Sequence, residues 1–349
     1  MKKFSKEALV PENDKWELAI KRCDDLYSRK DDIRGPFARD YTRVLHSLAY
    51  RRLKHKTQVF FNAAGNDHIC TRIEHVQHVE SVSNTIAKEL GLNEELTRAI
   101  AIAHDLGHAP FGHQGEDVIK RLTQKYLEKD FWHEQNGVYF VDDVELLEDN
   151  EKKFRNLDLT YAVRDGIISH CGELDENSIR PRADKIAYLG RDIEDAIRLN
   201  YLSAKDKEFL QDMARVHNES AINTTVIMHN MIIDLCNSSS PETGLTLSKE
   251  MSKQLNEIKR FNETKIYNNP RLNTFKKYSE LVLNEIFVIL LEYYDKHGQD
   301  VIGWLSSNKF DGKDFVEGFC KWIVAYCDLD FSEMQWAEKI AQNCLNKKI

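Results

Sequence analysis

The chain has 349 residues, of which 42% are hydrophobic and 30% are charged, and its formal net charge is -8 at pH 7. This is the composition of a globular protein with a substantial core, and it argues against global disorder. The acidic balance also argues against nucleic-acid binding over the whole surface. Contact with a polyanion would need a local basic patch or a metal ion.

Seven cysteines are scattered along the chain, and none forms a CxxC pair. That spacing indicates neither a zinc ribbon nor a disulfide framework, so reduced thiols are expected. Residues 1–15 are basic but lack the apolar run of a signal peptide. The most apolar stretch, 286–291, is too short to span a bilayer and is predicted to be a buried helix. We therefore expect a cytoplasmic protein without membrane contact.

The scarcity of turn residues, 15 Gly and 6 Pro, favours long helices and predicts an all-α fold. Apolar residues at helical spacing from Val76 to Leu90 predict one helix, which Gly91 ends. Further helices are predicted over 95–103, 114–127, 132–147, 160–170, 183–200, 205–218 and 221–236, with more helix toward the C-terminus. Residues 59–62 could form a short strand, but no pattern indicates a sheet core.

Two segments are predicted to be loops. The first, 149–158, is rich in charge, and the second, 237–245, is a Ser/Pro/Gly run that marks the best domain boundary. We expect residues 1–236 to form an N-terminal segment and a catalytic core. Residues 237–349 would then form a helical C-terminal region packed on that core.

Histidines are concentrated in one part of the chain. Seven of the 13 lie between residues 68 and 133, among acidic residues that include Asp105, Glu116 and Glu134. A single histidine on an apolar helix is usually a core residue, whereas a cluster favours a functional site.

The adjacent pair His104-Asp105 ends an otherwise apolar helix, AIAIAHD. Two ionisable groups at the end of a buried helix are costly unless something compensates them, and a divalent cation does so well. His75, on the preceding predicted helix, is a candidate further ligand. A carboxylate farther along the chain would complete a set of two histidines and two aspartates.

The predicted helix 183–200 could supply that carboxylate. Asp184, Tyr188, Arg191 or Asp192, and Asp195 share one stripe at helical spacing. A polar stripe of this kind equally describes a solvated face. The macrodipole also favours an aspartate such as Asp184 near a helix start, whatever its function.

Four segments together resemble the HD-domain deoxynucleoside triphosphate triphosphohydrolases, a group that includes the bacterial dGTPases and the SAM-and-HD-domain enzymes. They are RIEH (72–75), HDLGHAPFGHQGE (104–116), WHEQ (132–135) and ADKIAYLGRD (183–192). The likeness spans residues 34–200, and FNETKIYNNPRL resembles a C-terminal patch of the bacterial members.

The resemblance implies a metal centre with His75, His104, Asp105 and Asp184 as ligands. Imidazole and carboxylate suit Mn, Fe, Zn, Ni or Mg, and the sequence does not choose among them. The implied reaction is attack of an activated water on the α-phosphorus of a deoxynucleoside triphosphate, which yields a deoxynucleoside and intact triphosphate.

The resemblance also implies roles for residues around the metal. His113 and Glu116, at i and i+3, form an acid–base pair that places the water or protonates the leaving oxygen. Three more residues match active-site positions: His108, His133 and Glu134.

Substrate contacts are implied as well, by six residues: Arg72, Lys185, Arg52, Tyr188, Asp192 and Gln58. The three cations would hold phosphate oxygens. Tyr188 would pack under the sugar, Asp192 would accept a hydrogen bond from its 3′-hydroxyl, and Gln58 would lie near the base. As partners we expect a deoxynucleoside triphosphate and other copies of the chain, with a nucleotide as possible effector.

Two other functions stay open at this stage. One is an HD phosphohydrolase of another specificity, such as a nucleoside monophosphatase, a cyclic-nucleotide phosphodiesterase or an alarmone hydrolase. The other is a non-catalytic protein that binds nucleotides or single-stranded nucleic acid. The basic run 51–54 could contact nucleic acid, although an exposed helix explains it more simply.

Overall fold

A computed structural model describes residues 2–24, 26, 30–54, 56–60, 68–145, 147–148, 154–170, 180–216 and 219–297. The helices predicted beyond 297 lie outside the described residues, as do Cys171, Cys320, Cys327 and Cys344.

Within the described residues the chain forms thirteen α-helices. They are α1 Trp16–Ala19, α2 Pro36–His46, α3 Leu48–Arg52, α4 Arg72–Leu90, α5 Glu94–Ala103, α6 Gly112–Leu127, α7 His133–Tyr139, α8 Tyr161–Ile168, α9 Arg180–Arg198, α10 Ala204–Val216, α11 Thr224–Ser238, α12 Lys249–Asn262 and α13 Asn273–His297. Phe140–Val144 and Glu263–Tyr267 form π-helical turns, and Pro270–Leu272 forms a 3₁₀ turn. The predicted all-α fold is confirmed.

One small hairpin interrupts the helices. Strand β1, Leu147–Glu148, pairs antiparallel with β2, Phe154–Arg155. The prediction of a continuous helix over 132–147 is wrong, because α7 ends at Tyr139 and passes through a π-helical turn into this hairpin. The chain turns at Glu145, whose carboxylate accepts a hydrogen bond from the Leu48 amide at 2.8 Å.

The short strand expected at 59–62 is not found at Val59 and Phe60, and the rest of it lies outside the described residues. Thr57 instead makes an isolated bridge with Thr71, immediately before α4. Phe60 is buried without belonging to a strand. Its burial explains the apolar pattern that suggested one.

The two helices that carry the first candidate ligands have well-defined ends. At the start of α4, the Glu74 carboxylate accepts a hydrogen bond from the Thr71 amide at 2.7 Å, and Gly91 ends the helix with φ 84°. At the start of α5, the Asn93 side chain accepts from the Leu96 amide at 2.9 Å. The prediction that Gly91 ends α4 is confirmed.

Two apolar clusters form the core. The first packs side chains of α2, α5, α6, α8 and α13, and the second packs those of α4 and α9–α12. Leu283 and Phe287, beyond residue 237, are fully buried in the first cluster, and Ile258 is fully buried in the second. Each cluster thus contains residues from both sides of the predicted boundary at 237, and that division stays a prediction.

Helices α4, α5 and α9 bring the candidate ligands together, since α4 packs against both of the others. Among the described residues, no helix combines the length and the apolar character that crossing a membrane requires.

Candidate active site

A cavity of about 360 Å³ lies where α4, α7, α9 and the loop between α5 and α6 converge. Six histidines line it: His75, His104, His108, His113, His133 and His170. Three carboxylates and two phenols share the same wall: Asp105, Asp184, Asp192, Tyr188 and Tyr267. A concave site with converging polar groups of this kind is where ligand binding is expected.

His104 follows the last turn of α5, and its ring is fixed by the backbone. Its Nδ1 lies 2.6 Å from the Ala101 carbonyl oxygen. Because a carbonyl oxygen can only accept, Nδ1 carries the proton and donates a hydrogen bond to this oxygen. Nε2 is therefore left with a lone pair, and it is buried without a hydrogen-bond partner among the described residues. A buried acceptor without a partner is costly, and a histidine held through Nδ1 in this way is typical of metal ligands.

Three other side chains converge on this nitrogen. His75, His104 and Asp184 each offer a ligand atom, and these atoms lie within 4.8 Å of one another. His75 Nε2 lies 3.0 Å from Asp184 Oδ1 and 3.9 Å from Asp105 Oδ2, while His104 Nε2 lies 3.5 Å from Asp105 Oδ1. Two imidazoles and two carboxylates at this spacing fit a divalent cation.

Arg72, on the first turn of α4, supports the cluster from one side. Its Nη1 donates to Asp105 Oδ2 at 2.7 Å, and both side chains are buried. Burial opposes ionisation of Asp105, but His104 and Arg72 outweigh it and hold the pKa of this carboxyl well below its usual value. The carboxylate is therefore available to a cation at any physiological pH.

A second group of polar side chains lies on α6 and α7. Glu116 accepts from His133 Nδ1 at 3.1 Å and from Lys120 Nζ at 3.1 Å, and it lies 3.6 Å from His113 Nδ1. Burial opposes ionisation of Glu116, but hydrogen bonds from His113 and His133 lower its pKa well below the usual value. His113 is the exposed member, with 77% of its side chain accessible. This geometry suits a proton exchanger at the cavity surface, oriented by a buried carboxylate.

His108 and Glu134 flank this group. The His108 ring stacks on the His133 ring at 4.7 Å between centroids. Burial, followed by the charge of Arg72, lowers the pKa of His108 well below its usual value, so this imidazole is neutral. Glu134 lies 3.7 Å from His133 Nδ1 but does not line the cavity.

A close backbone contact positions α7 against the loop that carries His108. A Cβ at Gly107 would lie 2.1 Å from the Gly137 amide nitrogen and 2.3 Å from the His133 carbonyl oxygen. Asn136 joins the same contact by donating to the Gly107 carbonyl at 2.9 Å. Only glycine fits at position 107, and this contact fixes the distance between His133 and the His104-Asp105 pair.

The other end of the cavity holds Tyr188, Asp192 and Tyr267. The Tyr267 hydroxyl donates to Asp192 Oδ2 at 2.6 Å. Burial raises the pKa of Asp192 to about 7, although the Tyr267 hydroxyl and His75 act against it. Burial and the neighbouring Asp192 raise the pKa of Tyr267 well above its usual value. At a pH below about 7 this end therefore presents protonated, neutral hydrogen-bonding groups.

Not every predicted substrate contact lies at the cavity. Arg72 and Gln58 line it, and Gln58 Oε1 is buried without a hydrogen-bond partner among the described residues. Lys185 is half-buried and does not line it. Arg52 does not line it either, because its Nη2 pairs with Glu145 Oε1 at 2.5 Å.

Sequence reasoning gave no site role to His170, Tyr267 or Lys276, yet all three line the cavity. His170 follows α8 as His104 follows α5, and its Nδ1 lies 2.7 Å from the Ile167 carbonyl oxygen. The sequence pattern that could have indicated His170 is an apolar helix followed by a histidine. It occurs in YAVRDGIISH as it does in AIAIAH. Tyr267 belongs to the FNETKIYNNPRL segment, in which the resemblance to the family implies no role for an individual residue.

Residues 72–224 match the family model described as the HD domain, and they include the whole cluster of histidines and aspartates. The fold and the site thus define an HD-domain protein, and HD-domain membership together with the His/Asp cluster makes it a metal-dependent phosphohydrolase.

Similarity to known proteins indicates which group of HD-domain proteins the chain belongs to. One relative, the deoxyguanosinetriphosphate triphosphohydrolase-like protein of Caldanaerobacter subterraneus subsp. tengcongensis, is 35% identical over 78% of this chain and 77% of its own. The protein of the same name from Clostridium tetani is 31% identical over 94% of this chain and 93% of its own. The chain belongs to this family of deoxyguanosinetriphosphate triphosphohydrolase-like proteins, and the sequence-based identification is confirmed. A solved structure of a hypothetical protein from Aquifex aeolicus is similar over 86% of this chain and 70% of its own, with 17% identity and a TM-score of 0.38.

Proposed function

We propose that the protein hydrolyses deoxynucleoside triphosphates to a deoxynucleoside and intact inorganic triphosphate. The observation that carries this proposal is the polarity of the cavity. An ionised His/Asp cluster lies at one end, and a buried acid with two phenols lies at the other. One end suits a polyphosphate with its cation, and the other suits an uncharged sugar.

His75, His104, Asp105 and Asp184 would hold the divalent cation. When bound, it would polarise a phosphoryl oxygen and lower the pKa of a water molecule. The Ala101 carbonyl fixes the orientation of His104, and Arg72 keeps Asp105 ionised. Both effects prepare the site before the ligand arrives and reduce the cost of reorganisation.

Proton exchange would fall to His113. Attack of water on the α-phosphorus forms one P–O bond and breaks the bond to the 5′ oxygen, which must gain a proton. His113 is exposed at the cavity and is oriented by Glu116 at 3.6 Å, so it can deliver that proton and recover one from water. Lys120 Nζ lies 3.1 Å from Glu116, and hydrogen bonds from His113 and His133 lower the pKa of this orienting carboxyl.

Arg72 is the cation that lines the cavity beside the metal cluster, and it would face the phosphate oxygens. Lys185 is adjacent to Asp184 on α9 but does not line the cavity, so Arg72 is the phosphate contact that we assign. We assign Arg52 no phosphate contact, because Glu145 already neutralises it.

The sugar would lie between Tyr188 and the Asp192–Tyr267 pair. Tyr267 occupies one oxygen of Asp192 and leaves the other for a ribose 3′-hydroxyl. The Tyr188 ring lies 6.3 Å from the His75 ring, between the metal cluster and Asp192 along α9. A ring in this position would crowd a 2′-hydroxyl and favour deoxynucleotides.

The test is a panel of the four dNTPs, the four NTPs and the corresponding monophosphates, each with Mn, Mg, Ni, Zn or Fe(II), with products identified by phosphorus NMR. We expect triphosphate from dNTPs and little product from NTPs. Asp105→Asn should abolish release, whereas the matched control Asp212→Asn, at an exposed position on α10, should not. Release of pyrophosphate or orthophosphate alone would instead support an HD phosphohydrolase of another specificity.

A further inference from the structure

Lys276 lines the cavity, and the proposed reaction gives it no role. It is half-buried near the start of α13, and its Nζ donates to the Tyr267 carbonyl oxygen at 3.2 Å. An ammonium carries three N–H donors, so this contact leaves donors for a ligand. The macrodipole disfavours a cation near the start of a helix, so helix stability does not explain a lysine at this position.

The contact with Tyr267 places Lys276 at the end of the cavity that is remote from the metal cluster. The Tyr267 hydroxyl donates to Asp192 Oδ2 at 2.6 Å, so a single residue connects Lys276 with Asp192. On α9, Asp192 follows the candidate metal ligand Asp184 by about two turns, or roughly 12 Å along the helix axis. Lys276 is therefore a neighbour of the proposed sugar site.

Part of the cavity wall is used by neither the metal cluster nor the proposed sugar site. Val59, Phe111 and Leu272 contribute apolar surface there, and Gln58 contributes an amide whose Oε1 is buried without a hydrogen-bond partner among the described residues. A nucleobase has apolar faces and polar edges, so it matches apolar walls with a few hydrogen-bonding groups. With the phosphates at the metal cluster and the sugar at Asp192, the base would meet this part of the wall.

We propose that Lys276 selects deoxynucleotides whose base presents a keto oxygen, namely guanine through O6 and thymine through O4. Adenine and cytosine carry an amino group at the corresponding position, and an ammonium cannot accept a hydrogen bond from it. Two donors that face each other in a desolvated site both stay unsatisfied, which is costly. The Gln58 amide can turn either its oxygen or its NH₂ group to the base, whereas Lys276 can only donate, so Lys276 decides the preference. This inference rests on the proposed function, because it requires a deoxynucleotide in the cavity.

The first test compares purine substrates that differ at position 6. One pair is dITP and dATP, and the other is dGTP and the triphosphate of 2,6-diaminopurine deoxyriboside. For the wild type we expect kcat/KM to be about 10–100-fold higher for the keto member of each pair, the value of one hydrogen bond to a charged group.

The variant Lys276→Met removes the ammonium at similar side-chain length and should bring both ratios close to one. The matched control Lys277→Met alters the exposed neighbour on α13, which does not line the cavity, and should keep the wild-type ratios. If Lys276→Met lowered kcat/KM equally for all four substrates, the ratios would be unchanged. That result would overturn the proposal, because a phosphate contact or a purely structural role acts on every base alike.

The second test needs neither a variant nor hydrolysis, and it therefore holds if Lys276→Met does not fold. Deoxyinosine and deoxyadenosine are titrated into the wild-type protein in a calorimeter, and we expect deoxyinosine to bind about tenfold more tightly. Equal binding of the two nucleosides, or binding of neither, would contradict the proposal. A preference for deoxyinosine without release of triphosphate from any dNTP would refute only the proposed function. Release of triphosphate at equal rates from dITP and dATP would refute only the role of Lys276.

Discussion

Asp105 and Asp192 are buried aspartates on the wall of the same cavity, yet their environments shift their pKa values in opposite directions. Asp105 faces His104 and Arg72, and its pKa lies well below the usual value despite burial. Asp192 faces a phenol, and burial raises its pKa to about 7. Both carboxyls are buried, so the difference comes from their partners: the Arg72 guanidinium pairs with Asp105, whereas the Tyr267 phenol pairs with Asp192.

This difference divides the cavity into two chemical halves. The ionised half suits a cation and a polyphosphate, while the neutral half suits hydroxyl groups that donate and accept hydrogen bonds. Two carboxylates with separated pKa values are a common sign of divided roles in an active site.

The largest expected effect comes from removing the charge of Asp105 without changing its shape. Asp105→Asn should lower triphosphate release by more than about 100-fold, since loss of a residue that only orients a metal ligand already costs about 10–100-fold. Bound metal, measured by elemental analysis, should fall with it. Asp192→Asn should retain bound metal, because this carboxyl is not a ligand in the proposed site. Equal metal loss in the two variants would show that Asp105 and Asp192 do not have separate roles.

The next effect is on stability and depends on pH. Because the pKa of Asp192 is raised from 3.8 to about 7, the folded protein binds a proton that the unfolded chain lacks between these values. Unfolding free energy is therefore lost as pH rises from about 4 to 7. In metal-free protein, Asp192→Asn should be more stable than wild type at pH 8 by up to about 4 kcal/mol. The gap should close near pH 4.

Thermal unfolding from pH 4 to 8 measures this gap directly. A difference that does not change with pH would mean that Asp192 ionises with an ordinary pKa, and the neutral half would no longer be distinct.

A smaller effect on stability is expected at the contact between α7 and the loop that carries Gly107 and His108. Gly107→Ala would place a Cβ 2.1 Å from the Gly137 amide nitrogen, a backbone atom that cannot rotate away. We expect a loss of about 1–3 kcal/mol in unfolding free energy, together with reduced activity because His133 moves. In Gly137→Ala the new Cβ meets a side-chain methyl group of Ile167 at 2.8 Å rather than backbone atoms, so the loss should be smaller. The reverse order, measured by urea unfolding, would contradict the role of this contact.

The smallest effect tests the hydrogen bond of the neutral half. Tyr267→Phe removes the donor to Asp192 Oδ2 and should cost about 1 kcal/mol. We expect KM to rise about fivefold with little change in kcat, because the contact is remote from the metal cluster. Tyr126→Phe, which alters a half-buried tyrosine packed on Phe287, is the control. A fall in kcat with unchanged KM would contradict a role of Tyr267 in substrate binding and would indicate that it acts in the chemical step.

Local patterns were sufficient for the features that neighbouring residues determine. Helix α4 and its end at Gly91 follow from apolar spacing and a single glycine. The pair His104-Asp105 indicates a metal site because it ends an apolar helix. The family resemblance implies Asp184 as a further ligand. The family and the all-α fold were predicted correctly for these reasons.

Contacts between distant segments could not be predicted in the same way. The partner of Arg52, Glu145, follows an unexpected π-helical turn, and no local pattern indicates their pairing. His170 lies outside the histidine-rich segment, and only the packing of α8 brings it to His104. The raised pKa of Asp192 depends on burial, which a polar stripe on a helix does not reveal.

The proposed reaction is tested most directly by following the oxygen of the attacking water. The metal-loaded protein is incubated with dGTP or dATP in water enriched in oxygen-18, and the products are analysed by mass spectrometry. Attack at the α-phosphorus predicts one labelled oxygen in the released triphosphate and none in the deoxynucleoside. Label in a deoxynucleotide or in orthophosphate would contradict the release of intact triphosphate, because cleavage would then have occurred elsewhere in the phosphate chain.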